Sequence, residues 1–465
     1  MQYDEFLRSK IEVAPASGFE VVLDDLNECA FEWQKLLTQW ALRKGKCALF
    51  EDCGLGKSLQ QLDWSYQIHK HTASNILILA PLAVSRQTAT EGEKFGIPAN
   101  LCESQRDIRP GINITNYEKL HHFDTNSFVG IVLDESSILK HQTSETRRQV
   151  TELFRDTPYK LCCTATPAPN DYMELGNHAE FLGVMTRSEM LSTYFVHDGS
   201  DTQKWRLKGH AQDKFWEWVA SWAVVLQTPR DLGFEQEGFD LPPMDIKEHI
   251  VKSNILEAAN GQMLLLPDTI QTLNDRRAAR RNSLAERVQC AADIANAASD
   301  QYLVWCDLND EGAALEKAIN GAVEVAGRHS DQHKADAMMG FTRGEVRVLV
   351  SKPGIAGWGM NWQNCNNVIF VGLSDSFEAY YQAVRRCWRY GQNKAVNVHI
   401  ITSEGEGSVL DNIKRKQKAA GQMVEEMVKR TKYILSEEIR GTIRQSESYH
   451  ASKPLILPAF LEESA

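Results

Sequence analysis

A short glycine-rich segment has residue types that can bind phosphate. It reads Gly54-Leu55-Gly56-Lys57-Ser58. Glycines let backbone N–H groups approach phosphate oxygens closely, and a helix that begins at the same point adds the positive end of its dipole. Lys57 would bring a positive charge to the β and γ phosphates of a nucleotide, and Ser58 would offer Mg²⁺ a hydroxyl ligand. The segment therefore predicts a site for a nucleotide and Mg²⁺.

Two acidic residues follow an apolar run that is typical of a buried central strand. The run covers residues 129–133, and the acidic residues are Asp134 and Glu135. Asp134 could hold Mg²⁺, and Glu135 could orient and deprotonate an attacking water, as phosphoryl transfer requires. The alternative is an exposed acidic loop that caps a helix. Because the glycine-rich loop stands in the same chain, the catalytic interpretation is favoured.

Residues 382–392, QAVRRCWRYGQ, carry three arginines among apolar neighbours. On a helix, Gln382, Arg386 and Arg389 would lie on one stripe, at spacings of i, i+4 and i+7. Since buried guanidinium groups are costly unless they meet an anion, we predict that this stripe faces a phosphate. Such planar donors act as arginine fingers that stabilise the charge of the transferred phosphoryl group. The alternative is a surface helix with local salt bridges.

The elements that must position these residues alternate between strands and helices. A strand pattern at 46–50 precedes the glycine-rich segment, and a helical pattern follows that segment up to Ile68. The alternation restarts near residue 300. The later strand patterns are 301–306, 346–351, 367–372 and 396–402. This order predicts an α/β fold with two domains, each a parallel sheet covered by helices, and a nucleotide at the carboxyl ends of the strands.

The predicted organisation has four parts. They are an ATP-binding domain at 1–185, a mostly helical insertion and linker at 186–290, a second domain with the arginine fingers at 291–432, and a tail at 433–465. A packed helix in the insertion is predicted from an apolar stripe at helical spacing: Phe215, Val219, Trp222 and Leu226.

The composition is that of a globular protein and narrows the functional class. The chain has 465 residues, too many for one core, and 43% of them are hydrophobic. No apolar run is long enough for a transmembrane helix, and residues 1–13 lack the apolar block of a secretory signal. The net charge of −11 argues against a surface coated with positive charge but allows one basic groove. Four cysteines in apolar runs are predicted to be buried thiols of an intracellular protein: Cys47, Cys162, Cys163 and Cys306.

The motifs together resemble the Swi/Snf branch of the DEAD/DEAH-box helicase superfamily, most closely its compact members in bacteriophages and prophages. An acidic residue normally replaces the first glycine of the phosphate loop in this family, as Glu51 does here. The segments that carry the resemblance are LFEDCGLGKS, APLAVSRQ, ITNYEKL, LDESSILK, CTATPAPN, GWGMN at 357–361, and QAVRRCWRYGQ.

The resemblance implies two RecA-like domains that hydrolyse ATP, with Mg²⁺, at their interface. It further implies that Gln34 reads the adenine base and that Gly359 belongs to the nucleotide site. Thr164 and Thr166 would couple the γ-phosphate to the neighbouring domain, although the residues alone favour a simple exit from a strand into a turn. Asn116, in a segment similar to one that touches the DNA backbone, is a candidate DNA contact.

A basic segment at 274–282 offers two further candidate DNA contacts, Arg277 and Arg281. It places Arg276, Arg277, Arg280 and Arg281 on one predicted helix face. Basic runs of this kind are more often solvated faces, so both interpretations stay open.

The predicted function is an ATP-dependent DNA translocase or helicase, a DNA-dependent ATPase. The alternatives are an ATP-driven remodeller of protein–DNA complexes and a regulatory ATP-binding module without motor activity. The expected partner is duplex or single-stranded DNA, and replication, recombination or restriction proteins are further candidates, whereas no membrane partner is expected. The expected location is the cytoplasm of a bacterium or a phage-infected host. The sequence leaves open the polarity of movement, strand separation and the oligomeric state.

Overall fold

The computed structural model forms two lobes, each built around a parallel β-sheet. The first lobe contains a seven-stranded sheet and the second a six-stranded sheet. The structure describes residues 14–140, 145–169, 171–198, 201–252, 280–356, 360–373, 376–404 and 407–439.

The strands are numbered in chain order. They are β1 (Lys46–Glu51), β2 (Asn75–Ala80), β3 (Ala99–Leu101), β4 (Ile112–Asn116), β5 (Phe128–Asp134), β6 (Tyr159–Cys163), β7 (Phe195–Asp198), β8 (Asp201–Leu207), β9 (Ala223–Leu226), β10 (Met244–Val251), β11 (Tyr302–Cys306), β12 (Ala322–Val325), β13 (Val348–Ser351), β14 (Asn367–Val371) and β15 (Val396–Ser403).

The α-helices are numbered in the same way. They are α1 (Glu32–Lys44), α2 (Lys57–Thr72), α3 (Leu82–Lys94), α4 (Glu145–Leu153), α5 (Leu175–Leu182), α6 (Arg187–Tyr194), α7 (Gln212–Ala220), α8 (Leu284–Asn296), α9 (Asn309–Ala318), α10 (Asp331–Thr342), α11 (Pro353–Ala356), α12 (Phe377–Val384) and α13 (Gly407–Ile439). Short 3-10 helices lie at Leu23–Asp25, Gln105–Asp107, Tyr117–His122, Thr125–Ser127, Ser136–Lys140, Tyr172–Glu174, Gly209–Ala211 and Pro229–Leu232.

The strand order of the first sheet places three of the predicted motifs side by side. The order is β3-β4-β2-β5-β6-β1-β9, and every described pairing within it is parallel. The glycine-rich segment follows β1, the acidic pair closes and follows β5, and Thr164 follows β6. Because parallel strands end at the same edge, β5, β6 and β1 bring these segments together.

The core of the first lobe covers both faces of its sheet. In β1, Ala48 and Phe50 pack into one apolar cluster, whereas Cys47 and Leu49 pack into another on the opposite face. A strand that is buried on both faces needs an uninterrupted apolar run, which is the pattern that the sequence shows. The four cysteines predicted to be buried are buried: Cys47, Cys162, Cys163 and Cys306.

The second sheet has the order β10-β15-β14-β11-β13-β12, and its described pairings are also parallel. The predicted α/β class with two parallel, helix-covered sheets is therefore confirmed. None of the helices in the described ranges is long and apolar enough to cross a membrane.

The long helix α13 joins the two lobes. It has 33 residues, about 50 Å at the usual helical rise. Ile413, near its start, packs into the core of the second lobe. Met427 and Val428, further along, pack into the core of the first lobe. The helix continues past residue 432, where the tail was predicted to begin, and residues 440–465 lie outside the described part of the chain.

In its described residues, 186–198, 201–252 and 280–290, the segment between the lobes is less helical than predicted. It supplies β9 to the first sheet and β10 to the second, and β7 and β8 form a separate antiparallel hairpin. The predicted helical stripe is wrong in its second half, because α7 ends at Ala220 and Leu226 lies in β9. The run Ala-Val-Val-Leu favours a strand, since β-branched side chains fit a pleated surface. The predicted domain boundaries stay a prediction.

Candidate active site

The glycine-rich segment forms the loop between β1 and α2, and we call residues 51–58 the phosphate loop. Gly54 and Gly56 have φ angles of 91° and 82°, in the left-handed region that glycine adopts at little cost. The helix α2 begins at Lys57, directly after the second glycine. The positive end of the helix dipole therefore lies at the loop, as a phosphate site requires.

The Lys57 ammonium group is held by its own loop. Its Nζ atom donates hydrogen bonds to the backbone carbonyl groups of Glu51, at 2.8 Å, and Asp52, at 3.0 Å. Burial raises the pKa of the carboxyl groups of Glu51, Asp134 and Glu135, and the charge of the nearby Lys57 opposes each rise. A phosphate group fits this position, because it would replace two carbonyl acceptors with charged oxygens.

Asp134 ends β5 as a buried carboxylate. Its Oδ1 atom accepts hydrogen bonds from Gln61 Nε2 at 2.8 Å and from the backbone N–H of Glu135 at 3.1 Å. Burial raises the pKa of this carboxyl, and the hydrogen bond from Gln61 opposes the rise. Sequence reasoning missed Gln61, although it lies one turn after Lys57 on the same face of α2. The Asp134 carboxylate and the Ser58 hydroxyl are oxygen ligands of the kind that Mg²⁺ prefers.

Glu135 combines strained backbone with an unusual carboxyl group. Its φ angle is 51°, a rare value for a residue with a side chain. Burial first and the neighbouring Asp134 second raise the pKa of its carboxyl to about 7. Its Oε2 atom is buried and has no hydrogen-bond partner among the described residues. A carboxyl that titrates near neutrality, with a lone oxygen, is suited to accept a proton from water.

Glu51 is a second buried carboxyl beside the lysine. Burial raises its pKa to about 7, whereas the charge of Lys57 and a hydrogen bond from Gln60 act against the rise. The bond from Gln60 Nε2 reaches Oε2 at 2.9 Å, while Oε1 is buried without a partner among the described residues. Lys57 therefore has Glu51 as well as Asp134 and Glu135 as acidic neighbours.

Gln34 contacts the phosphate loop directly. Its Nε2 atom donates to the carbonyl of Leu55 at 2.8 Å, and its Oε1 atom accepts from the N–H of Phe31 at 2.9 Å. A Cβ atom on Gly56 would lie 2.3 Å from Nε2, and the φ angle of 82° also favours glycine at that position. Both polar ends of the side chain are thus engaged within the first lobe. The predicted contact of Gln34 with adenine stays a prediction.

The arginine segment of the second lobe is only partly helical. The helix α12 ends at Val384, so the single predicted helix through Arg386 and Arg389 is wrong in its second half. Both arginines lie in the irregular segment after the helix. A helix-like backbone hydrogen bond persists there, from the N–H of Trp388 to the carbonyl of Val384 at 3.0 Å. The helical spacing therefore still describes which side chains share a face.

Arg386 is buried and acts on the catalytic carboxyl of the other lobe. Only 5% of the residue is exposed. Its Nε donates to the carbonyl of Gln382 at 3.1 Å, and its Nη1 to that of Met360 at 3.3 Å. Burial and Asp134 raise the pKa of Glu135, and the charge of Arg386 opposes this rise from the other lobe. The role of Arg386 as an arginine finger stays a prediction.

Arg389 packs against the phosphate loop. A Cβ atom on Gly54 would lie 3.5 Å from the Cβ of Arg389. Burial first and repulsion from Arg386 second lower the pKa of its guanidinium to about 10. The Nε2 atom of Gln382 is buried without a hydrogen-bond partner among the described residues. The structure thus places the predicted arginine segment of the second lobe against the phosphate loop of the first.

A third arginine, which the sequence analysis did not single out, makes the direct contact between the lobes. Arg385 donates from Nη2 to the Asp52 carboxylate at 2.6 Å and to the carbonyl of Cys53 at 2.7 Å. The hydroxyl of Tyr381 donates to the same carboxylate. The only available signal was that Arg385 stands next to Arg386 in a run with few acidic residues.

Glu378 makes a second contact between the lobes. Its carboxylate accepts a hydrogen bond from Lys140 and another, at 3.3 Å, from the hydroxyl of Thr166. Thr164 is fully buried, and its hydroxyl accepts from the N–H of Thr166 at 3.2 Å. Thr166 therefore touches the second lobe, as the predicted coupling role requires, although the role itself stays a prediction.

The candidate DNA contacts have different positions. Asn116 caps the 3-10 helix that begins at Tyr117 and lines a cavity of about 870 Å³ between the lobes. Arg281 is exposed, but Arg280 is buried and paired with Asp307, so the predicted four-arginine face is wrong at that position. The two remaining site predictions, Arg277 and Gly359, lie outside the described residues.

Comparison with known families agrees with this geometry. The family model of the SNF2-related domain matches residues 32–194, and that of the helicase conserved C-terminal domain matches residues 286–391. The first match lies in the first lobe and the second match in the second lobe. These matches support a Swi/Snf-type, helicase-like ATPase, a hydrolase of the helicase type.

Two individual proteins are similar to this chain. The ATP-dependent helicase FUN30 of Saccharomyces cerevisiae is 25% identical over 186 residues, which are 35% of this chain and 16% of that protein. The structure of the Sulfolobus solfataricus SWI2/SNF2 ATPase core in complex with dsDNA aligns with a TM-score of 0.41 and 19% identity, over 90% of this chain and 98% of that one. The chain thus corresponds to a small part of its curated relative.

Proposed function

We propose that this protein is an ATP-dependent DNA translocase or helicase that hydrolyses ATP between its two lobes. The observation that carries the proposal is that the arginine segment of the second lobe docks on the phosphate loop of the first. Arg385 donates to the Asp52 carboxylate at 2.6 Å and to the carbonyl of Cys53 at 2.7 Å. The charges of Lys57 and Arg386, one from each lobe, oppose the rise in the pKa of Glu135 that burial and Asp134 cause. A site that is completed only by two lobes links hydrolysis to their relative movement.

The chemistry assigns one task to each side chain. Glu135 orients a water and accepts its proton as the water oxygen bonds to the γ-phosphorus of ATP. The bond from that phosphorus to the β–γ bridging oxygen breaks, which gives ADP and phosphate. Lys57 binds the phosphates from the first lobe, and Arg386 and Arg389 stabilise the charge that spreads over the transferred group. Ser58 and Asp134 would hold Mg²⁺, which neutralises phosphate charge when bound.

Movement would follow from the contacts that hydrolysis changes. Thr166 follows β6 beside the acidic pair and contacts Glu378 of the second lobe. A change at the γ-phosphate can therefore reach the second lobe through one hydroxyl–carboxylate contact. Repeated closing and opening of the lobes would shift them along a bound nucleic acid, step by step.

The cavity between the lobes is the candidate track for DNA. Basic and amide side chains from both lobes line it, Arg86, Asn116, Lys140 and Lys334, beside the acidic residues Glu118, Glu135, Asp331 and Glu378. Cationic and amide groups of this kind bind phosphate backbones without reading the sequence. The family of the second domain and the curated relative are both named as helicases, which act on nucleic acids. The likeness to compact phage members, the choice of duplex or single strand and any remodelling of protein–DNA complexes stay predictions.

The test is an ATPase assay of the whole chain with no DNA, with duplex DNA and with single-stranded DNA. We expect DNA to stimulate hydrolysis, and Lys57→Ala to lower the stimulated rate by about a hundredfold or more. The control is Lys70→Ala, at the exposed far end of the same helix, which should leave the rate within about twofold.

The outcomes separate the alternatives. Stimulation by DNA without strand separation supports a translocase, and stimulation with separation supports a helicase. Hydrolysis that no nucleic acid stimulates contradicts the proposal and favours a regulatory ATP-binding module. Normal hydrolysis by Lys57→Ala, with an unchanged melting temperature, would mean that the phosphate loop is assigned wrongly.

A further inference from the structure

The side chain of Arg385 is enclosed between the two lobes. Only 4% of it is exposed, and its guanidinium group lies 5.1 Å from the centre of the Trp388 ring. It reaches two groups of the phosphate loop, the carboxylate of Asp52 and the carbonyl of Cys53. A buried, charge-assisted contact with two acceptors is both strong and specific in direction.

The arginine segment presents two neighbouring stripes that have different partners. The first stripe, at i, i+3 and i+7, consists of Glu378, Tyr381 and Arg385, and all three bind groups of the first lobe. The second stripe is the predicted one, Gln382, Arg386 and Arg389. In this stripe Arg386 donates to backbone carbonyls of its own lobe, and the Nε2 atom of Gln382 has no partner among the described residues.

The phosphate loop is bound from two directions at the same residues. Lys57 donates to the carbonyls of Glu51 and Asp52 from inside the first lobe. Arg385 and Tyr381 bind the Asp52 carboxylate from the second lobe. When a phosphate replaces the bonds of Lys57, the bonds from Arg385 can remain, because they use the side chain of Asp52 and the carbonyl of Cys53. The arginine segment can then stay bound to the phosphate loop while the nucleotide binds.

We infer that Arg385 is a positioning residue, which holds the arginine segment against the phosphate loop so that Arg386 and Arg389 face the catalytic carboxyls. The inference rests on the proposed function and deepens it. Arg385 does not touch the reacting atoms in this arrangement. It acts through Asp52, and the two residues form one unit across the lobe interface.

The test measures kcat and KM for ATP, with saturating DNA, in a double-mutant cycle. Arg385→Ala and Asp52→Ala should each lower kcat by about a hundredfold, as small displacements of catalytic groups do. KM should change by less than about threefold, because Lys57 and the loop bind the phosphates within the first lobe. The double variant should be no slower than the slower single variant, since the two residues act as a unit.

Two further variants serve as a conservative substitution and as a control for the loss of an ion pair elsewhere. Arg385→Lys retains the charge but loses the planar group, and it should recover part of the lost kcat, which a merely structural role of the guanidinium packing would not give. Arg430→Ala breaks a different ion pair, between α13 and Asp213 of α7 in the first lobe, at 3.0 Å, and should leave kcat within about twofold. Melting temperatures of all variants check that each is folded.

The inference is wrong if the losses of the two single variants multiply in the double variant, or if Arg385→Ala leaves kcat unchanged. It is also wrong if Arg430→Ala is as slow as Arg385→Ala, because any loss of lobe contact would then suffice. In each case wild-type hydrolysis that Lys57→Ala abolishes leaves the proposed function standing. A wild type that lacks DNA-stimulated hydrolysis contradicts the proposed function instead.

Discussion

The two lobes bury opposite charges at the same interface. The first lobe holds its carboxyl groups with side chains of one helix: Gln61 binds Asp134, and Gln60 binds Glu51. The second lobe holds Arg386, in the turns beyond α12, through the backbone carbonyls of Gln382 and Met360. Each lobe therefore fixes the position of its charges by itself. The carboxyls of the first lobe have Lys57 beside them, whereas the charge of Arg386 acts on Glu135 across the interface. The comparison indicates that each lobe positions its own charged residues, and that the complete site forms when the two lobes dock.

The largest expected effect comes from removal of the second lobe's charge. Arg386→Ala should lower the DNA-stimulated kcat by about three to five powers of ten, the usual range for an arginine finger. Nucleotide binding, measured with a fluorescent ATP analogue, should change little because the first lobe holds the phosphates. Arg386→Lys, which keeps the charge but loses the planar fork, should be intermediate. Nearly normal kcat in Arg386→Ala would contradict this comparison, since the first lobe alone would then be sufficient for hydrolysis.

The next effect is a pH dependence set by the first lobe. The pKa of Glu135 is raised to about 7, so the carboxyl is protonated below this pH and cannot accept a proton from water. We expect kcat to fall about tenfold for each pH unit below 7 and to level off above it. Single-turnover rates between pH 5.5 and 9 measure this profile, and Glu135→Gln should remove it together with most of the activity. A flat profile across pH 7 would contradict the assignment of Glu135 as the base.

The smallest effect concerns stability, at Glu51. Its pKa is raised to about 7 in the fold, from an ordinary 4.5, so the folded protein holds a proton that the unfolded chain releases. Stability should therefore fall as the pH rises from about 4.5 to 7 and stay low above it, by at most about 3 kcal/mol. Glu51→Gln should raise the melting temperature by a few degrees at pH 8 and change it little at pH 5. Equal effects at both values would mean that burial of this charge is not costly.

The sequence predicted the parts of the fold that depend on local pattern. Central parallel strands such as β5 are continuous apolar runs, because both faces of the sheet are covered. The phosphate loop was recognisable since its glycines must adopt left-handed angles where the helix begins. Asp134 and Glu135 could be placed beside it because neighbouring parallel strands end at one edge.

The missed features depend on contacts between distant residues. The bond between Arg385 and Asp52 joins residues 333 positions apart, and no spacing rule selects Arg385 over Arg386. The helix was predicted too long because its apolar and basic residues favour helix, whereas Arg386 bonds to carbonyls of other segments. The strand β9 was read as helix because Trp222 and Leu226 happen to continue the spacing of Phe215 and Val219. In each case tertiary contacts decided between two local possibilities.

The helix α13 has a mechanical consequence for any motor built on this fold. Its two ends are fixed in different cores, through Ile413 and Met427. Gly421 lies between these anchors, and glycine is the residue that weakens a helix most apart from proline. A rotation of the lobes would require α13 to bend near this glycine, since removing Ile413 or Met427 from its core would expose buried apolar surface. The bending stiffness of α13 would thus limit how far the two lobes can separate.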